Sequence, residues 1–266
     1  MRKQLGPSLT IDYEDEGHGK PVVLLHGFPF SARMWRTQSA ALKGNYRIIV
    51  PNLRGFGGTS AFDRAPSLEQ MASDVNALLD ALDIRERVVL GGLSMGGYVA
   101  LAFARNHAAR LRGLILADTR AEADTQEGKA NRDKTIAFAQ AHSAGEVVDQ
   151  MLPRLLSENT RQHKPEVAAE VRDIASTQAP AAIVAALKAM RDRPDSTPSL
   201  ARIEASTLVI VGADDVVTPL SAAQSIAQGI HAAQLVTVAD AGHMSNMEQP
   251  ERFNEAVAGF LGALES

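Results

Sequence analysis

The sequence predicts an α/β fold, with a mostly parallel twisted sheet, helices on both faces and a helical lid insertion. Three observations predict it. Apolar runs alternate with helical patterns along residues 1–118 and again along 200–266, the order expected of a parallel sheet covered on both sides. Residues 119–199 contain helical patterns only. Ser94 lies in a G-x-S-x-G pentapeptide between an apolar run and a helical pattern, as at a sharp strand-to-helix turn.

The elements of the first part follow from periodicity. Residues 9–14 alternate apolar and polar side chains, which indicates a half-exposed strand near a sheet edge. Continuous apolar runs predict buried strands at residues 22–25, 47–50, 88–90 and 113–117. Helical spacing predicts helices at residues 31–43 and 67–82 and in the segment after Ser94. Ser67 can cap the second of these helices, and Gln70 is placed to complete a capping box.

The insertion at residues 119–199 contains four helical stretches separated by Pro or Gly, at residues 127–142, 144–157, 165–177 and 180–193. One interpretation is a helical insertion that only fills space. The other is a lid over the carboxyl ends of the strands, where open α/β sheets bind ligands. The entry directly after a predicted strand favours the lid.

The core resumes at residue 200. Residues 207–211 and 234–238 predict two more strands, and residues 248–264 a closing amphipathic helix. Thr218 and Pro219 predict a helix start with a cap and a first-turn proline.

Composition excludes several classes of function. The chain has no cysteine, which excludes disulfides, thiolate metal sites and a cysteine nucleophile. Its formal charge of −4, from 27 basic and 31 acidic residues without long runs of one sign, gives no electrostatic case for nucleic acid or an anionic membrane as partner. No apolar run has the length of a signal-peptide core or a membrane span. We therefore expect a cytoplasmic protein acting on a small molecule, and the oligomeric state stays open.

The candidate catalytic residues follow predicted strands. A serine hydroxyl needs a base, and the base needs an orienting acceptor. Of the seven histidines, only His26 and His243 come directly after a predicted strand. Asp214 and Asp215 follow the penultimate strand, although either could instead cap a helix or be solvated. The chain order Ser, Asp, His strengthens the catalytic interpretation. No H-x-H or H-E-x-x-H pattern supports a metal, and no cofactor is expected.

Four motifs together resemble the α/β-hydrolase fold superfamily: LLHGFP at residues 24–29, NLRGFGGTS at 52–60, GLSMGG at 92–97 and Gly-His at 242–243. The resemblance covers the chain apart from the lid. It implies a serine hydrolase with Ser94 as nucleophile and His243 as base. The family pattern G-x-x-D-x-x-x-P fits Gly212, Asp215 and Pro219 and so selects Asp215 as the acid. The backbone amides of Phe28 and Met95 would form the oxyanion hole.

The resemblance also narrows the reaction. Dehalogenases and epoxide hydrolases of the family carry an aspartate in place of Ser94, which disfavours those chemistries. Residues 242–250 are similar to the tail of 3-oxoadipate enol-lactonases and related carboxylesterases, and cofactor-free haloperoxidases and perhydrolases share much of it. We expect ester or lactone hydrolysis through an acyl-enzyme, with activity rising with pH through about 6–7 as His243 becomes neutral. The alternatives are perhydrolase-like acyl transfer and a non-turnover ligand receptor on the same fold.

The substrate pocket is the least specific part of the prediction. Phe30 and Trp35 lie on a segment that the predicted fold brings near the nucleophile, and they could line an apolar acyl pocket. For Trp35, packing in the core is at least as good an interpretation. Arg54 and Arg120 could meet an anionic substrate, but exposed arginines are usually just solvated.

Overall fold

A computed structural model of the chain describes residues 1–62 and 67–265; residues 63–66 and 266, which fall within the predicted core ranges, lie outside the described residues. Eight strands form one sheet in the order β1-β2-β4-β3-β5-β6-β7-β8. The strands are β1 Arg2–Gly6, β2 Leu9–Gly17, β3 Lys20–Leu25, β4 Tyr46–Pro51, β5 Val88–Leu93, β6 Leu111–Ala117, β7 Ser206–Gly212 and β8 Gln234–Val238.

The sheet is parallel from β4 to β8, and β2 joins β4 in antiparallel pairing. The strand β1 pairs antiparallel with β2 at the edge and was not predicted, because its RKQLG sequence has no apolar alternation. The mostly parallel α/β sheet predicted from the apolar runs is confirmed. The parallel arrangement brings the carboxyl ends of β3, β5, β6, β7 and β8 to one edge of the sheet.

Eleven α-helices are present in the described residues: α1 Arg36–Leu42, α2 Leu68–Ala81, α3 Met95–Asn106, α4 Gln126–Ala141, α5 Ala144–Leu155, α6 Glu158–His163, α7 Pro165–Ser176, α8 Pro180–Arg191, α9 Leu220–Gly229, α10 Ser245–Glu248 and α11 Pro250–Ala263. Alternate side chains of β3 enter two different cores: Val23 and Leu25 pack with α2, α3 and α9, whereas Val22 and Leu24 pack with α1 and α11. Helices therefore cover both faces of the sheet, as the continuous apolar strands require.

Helix starts differ from the predictions in three places. The predicted helix at residues 31–43 begins as a 3₁₀ turn, Ala32–Trp35, before α1. Ser67 caps α2 by accepting from the Gln70 amide, but the Gln70 side chain donates to Asp74, so the capping box is not formed. The Thr218 hydroxyl does not cap α9, because it donates to Asp215 instead.

Helices α4 to α8 lie between β6 and β7, and no strand occurs among them in this fully described segment; we call them the helical insertion (Gln126–Arg191). Ser143 and Glu146 form a complete capping box at the start of α5, since each side chain bonds the backbone amide of the other residue. None of the helices in the described ranges is both long and apolar enough to cross a membrane. The cytoplasmic location stays a prediction.

Candidate active site

Ser94 stands at the turn from β5 into α3, with φ 55° and ψ −112°. A residue with a side chain rarely adopts such a positive φ, so the surrounding chain has to enforce it. The glycines at positions 92 and 96 allow this close packing. A Cβ on Gly92 would lie 2.2 Å from the Gly96 carbonyl oxygen, and one on Gly96 would lie 2.2 Å from the Leu25 carbonyl oxygen on β3. The pentapeptide thus packs α3 directly against two neighbouring segments and leaves Ser94 at the carboxyl end of the sheet.

His243 lies between Ser94 and Asp215. Its Nε2 is 2.8 Å from Ser94 Oγ, and its Nδ1 is 2.8 Å from Asp215 Oδ2. The imidazole is buried, with 2% of the residue exposed, and so is Asp215 with 4%. Asp214, the alternative acid, is exposed. The three residues come from the ends of β5, β7 and β8, so the parallel sheet is what brings them together.

Four donors surround the Asp215 carboxylate. Oδ1 accepts from the amides of Val217 at 2.7 Å and Thr218 at 2.9 Å, while Oδ2 accepts from the Thr218 hydroxyl at 2.6 Å and from His243. Burial alone would raise the pKa of Asp215, but the charge and hydrogen bond of His243 and the bonds from Thr218 outweigh it and lower that pKa. The carboxyl group is therefore ionised and can orient the Nδ1 proton of the imidazole.

Two backbone amides adjoin Ser94. Met95 N is the first amide of α3, and Phe28 follows Gly27, whose ideal Cβ position is 3.6 Å from Ser94 Cβ. Within the described residues neither amide donates a hydrogen bond to another protein group. Amides in this state are available to an oxygen bound beside the serine.

His26 holds the segment that carries the Phe28 amide. The Leu53 amide donates to Nε2 at 2.9 Å, which leaves Nδ1 to donate to the Gly27 carbonyl at 2.9 Å. Burial lowers the pKa of His26 to about 4, against the small opposing effect of the Gly27 carbonyl, so the ring is neutral near pH 7. Both ring nitrogens of His26 are therefore hydrogen-bonded to the backbone, and neither is available to accept a proton from Ser94.

Comparison with known proteins agrees with this geometry. Residues 22–256 match the model of the alpha/beta hydrolase family. The chain belongs to this family. The match begins within β3, covers the strands from β4 to β8 and includes the helical insertion. The resemblance and the fold predicted from the four sequence motifs are confirmed.

Three proteins similar to this α/β-hydrolase are named as an esterase or as enol-lactonases. The chain is 29% identical to 3-oxoadipate enol-lactonase 1 of Acinetobacter baylyi over 261 residues, 98% of this chain and 95% of the relative. A thermophilic esterase from Thermogutta terrifontis, solved with malate bound, has a TM-score of 0.94 and 41% identity over 97% of this chain and 95% of its own. The enol-lactonase from Burkholderia xenovorans has a TM-score of 0.89 and 28% identity, covering 96% of this chain and 98% of its own.

Two buried acids beside the site were missed by the sequence interpretation. Asp118 follows β6 directly, and its carboxyl group accepts hydrogen bonds from the Gly212 amide at 2.8 Å and from the Ser245 hydroxyl. Burial, and then the nearby Asp215 charge, raise the pKa of Asp118 well above its usual range. Glu248 is fully buried and binds the backbone on both sides of His243. Asp118 could have been found because it directly follows a buried strand, whereas Glu248 is the first residue of the predicted closing helix, where an acid is ordinary.

A cavity of about 240 Å³ opens above Ser94. The core contributes Ser94, Tyr98, Val217, His243 and Phe28 to its lining, and helices α4, α5 and α8 contribute the rest. The structure does not bring Phe30 and Trp35 to this cavity. Each is 1% exposed and packs in the core that also contains side chains of α1 and α11. Their predicted role in substrate binding is therefore corrected.

Neither of the two arginines considered for an anionic substrate lines the cavity. Arg54 is buried and forms a two-pronged ion pair with Asp74, at 2.8 Å for each bond. Arg120 donates to the Val217 carbonyl. In residues 1–62 and 67–265, no cluster of three or more His, Asp or Glu side chains is arranged to hold a metal ion.

Proposed function

We propose that this α/β-hydrolase cleaves a carboxylic ester or lactone through an acyl-enzyme formed on Ser94. The observation that carries the proposal is the position of His243, with one ring nitrogen 2.8 Å from the Ser94 hydroxyl and the other 2.8 Å from Asp215. The esterase and lactonase names of relatives that align over nearly the whole chain support the same reaction.

The geometry supports the following sequence of steps. His243 Nε2 takes the proton of Ser94 as Oγ attacks the substrate carbonyl, and Asp215 stabilises the imidazolium that results. The amides of Phe28 and Met95 bind the oxyanion, a contribution of about 3–4 kcal/mol per donor where such donors have been removed from other enzymes. His243 then returns the proton to the leaving oxygen. In the second half-reaction His243 activates water, which releases the acid from Ser94.

The helical insertion is proposed to act as a lid over this site. Residues of α4, α5 and α8 line the cavity that contains Ser94 and His243, so a substrate there lies between the core and these helices. The proposed boundaries are residues 119–199 for the lid, with residues 1–118 and 200–266 forming the core.

Initial rates on p-nitrophenyl esters from acetate to octanoate, together with one γ-lactone, test this function. Ser94→Ala should lower kcat by about a million-fold, and the oxyanion hole and substrate binding should leave about a 10³–10⁴-fold acceleration over the uncatalysed reaction. Ser73→Ala, an exposed serine on α2, is the matched control and should leave the rates unchanged. A native protein that turns over none of these substrates, or that forms a stoichiometric adduct at Ser94 without recycling, would favour the receptor alternative and overturn the proposal.

A further inference from the structure

The cavity above Ser94 has an uneven distribution of charge. Two guanidinium groups, those of Arg132 and Arg154, line it, and no carboxylate does so among the described residues. Thr135 and Gln150 add neutral polar groups beside them. All four side chains come from α4 and α5, whereas the reacting hydroxyl of Ser94 comes from the core. The positive charge of the cavity is therefore located on the helical insertion.

Arg132 shares its counter-ion with another arginine. Its Nε is hydrogen-bonded to Asp124 Oδ2, and the Arg193 guanidinium donates to Asp124 Oδ1 at 2.7 Å. Burial opposes ionisation of Asp124, but the two guanidinium groups outweigh it and lower its pKa. Two positive charges and one negative charge leave the cluster with an excess of +1. Arg193 in turn lies 4.2 Å from the ring centre of Tyr98, which lines the same cavity.

Arg154 adds a second unbalanced charge. Val147, Gln150, Met151 and Arg154 are spaced three, four and seven residues apart on α5, which places them on one face of that helix, and all four line the cavity. In the part of the chain that the structure describes, no side chain or carbonyl pairs with the Arg154 guanidinium. An exposed arginine is commonly just solvated. Arg154 differs from that case because it lines the same cavity as Ser94 and His243, where the other lining arginine, Arg132, shares its counter-ion with Arg193.

We propose that the substrate is an ester or lactone that carries a carboxylate group, which Arg154 and Arg132 bind. This inference rests on the proposed hydrolase function. A guanidinium binds a carboxylate through two parallel N–H donors, and such charge-assisted bonds are stronger where water is partly excluded. The volume of about 240 Å³ limits the distance between the carboxylate and the scissile carbonyl, so the structure points to short-chain substrates.

Two substrates of equal shape and different charge test the inference. Monoethyl succinate ends in a carboxylate, and ethyl succinamate ends in a neutral amide of the same size. We expect a kcat/KM ratio of about 10 to 100 in favour of the charged ester, as for hydrogen bonds to charged groups, and a ratio that falls as salt is added. Arg154→Gln should reduce the ratio about tenfold, mainly through KM, and Arg154→Lys should restore part of it. Arg161→Gln removes the same charge from an exposed position on α6 outside the cavity and should leave the ratio unchanged.

The outcomes separate this inference from the proposed function. Equal rates on the two esters, or faster hydrolysis of the neutral one, would overturn the carboxylate inference and leave the hydrolase function intact. Equal losses in Arg154→Gln and Arg161→Gln would also overturn it, because a general field effect would then explain the preference. No turnover of either ester, or of the p-nitrophenyl series, would overturn the hydrolase function itself.

Discussion

Glu248 provides the sharpest test of how the His243 loop is held. Oε1 accepts from the amides of Gly242 at 2.8 Å and Met244 at 3.2 Å, which flank His243, while Oε2 accepts from the Ser157 amide at 2.8 Å. The side chain is fully buried. Both oxygens face N–H donors, so a carboxylate fits the position and a group with a donor of its own does not.

Glu248→Gln changes this position with almost no change in volume. If the oxygen of the new side-chain amide still accepts from Gly242 and Met244, its NH₂ group lies against the Ser157 N–H, and two donors then face each other. One charge-assisted bond, worth about 1.5–3 kcal/mol, is lost, and two others become neutral bonds of about half that strength. We therefore expect a loss of about 3–6 kcal/mol in the free energy of unfolding. A histidine displaced by even 1 Å should also lower kcat about a hundredfold.

The assay compares urea unfolding with steady-state ester hydrolysis for native protein, Glu248→Gln and Glu255→Gln. Glu255 is exposed on α11, so its variant makes the same charge change without touching the loop and should behave as native. Native-like stability and kcat in Glu248→Gln would refute the reasoning. A loss of stability with unchanged kcat would show that the Glu248 bonds support the fold but do not position His243.

Two further predictions concern buried charges. The pKa of His26 is lowered to about 4, so the folded protein takes up this proton at a lower pH than the unfolded chain does. The contribution of His26 to stability is therefore present above the unfolded pKa of 6.5 and falls as the pH drops from there towards 4. Between pH 7 and pH 5 the protonation of His26 should lower the free energy of unfolding by about 2 kcal/mol, measured by urea unfolding at both pH values. A His26→Gln variant should lack this part of the pH dependence, which would show that His26 causes it. Asp74→Asn breaks the buried, two-pronged ion pair with Arg54 and should cost about 1.5–3 kcal/mol in thermal or urea unfolding. Asp173→Asn breaks an exposed pair with Arg33 and should cost less than about 1 kcal/mol, and equal losses in the two variants would contradict the burial argument.

The sequence was most informative where a residue directly follows a buried strand. In a parallel sheet the carboxyl ends of the strands meet at one edge, so position in the chain translates into position in space. Ser94 and Asp215 follow the buried strands β5 and β7, whereas His243 lies further along the chain after the largely exposed β8. The structure places His243 within hydrogen-bonding distance of both other residues. The choice of Asp215 over Asp214 required the family pattern as well, because both residues follow the same strand.

The sequence was least informative where a side chain's direction depends on tertiary packing. Phe30 and Trp35 lie just beyond β3, and nothing in their spacing shows that the segment turns back into the core. An exposed position is the usual one for an arginine such as Arg54, but its guanidinium group is buried in an ion pair with Asp74 of α2. The short α10 could not be predicted either, because four residues are too few for a helical period.

Several hydrogen bonds join the helical insertion to the segment that carries His243. His243 N donates to the Leu155 carbonyl at 2.9 Å, and the Ser157 amide donates to Glu248 at 2.8 Å. Arg154 directly precedes Leu155 at the end of α5, so the proposed carboxylate-binding residue is one position away from a carbonyl that holds the proposed base. If the end of α5 keeps its position, substitution of Arg154 should therefore change KM and leave kcat unchanged. A fall in kcat in Arg154→Gln that Arg154→Lys restores would mean that charge at this position also keeps His243 aligned.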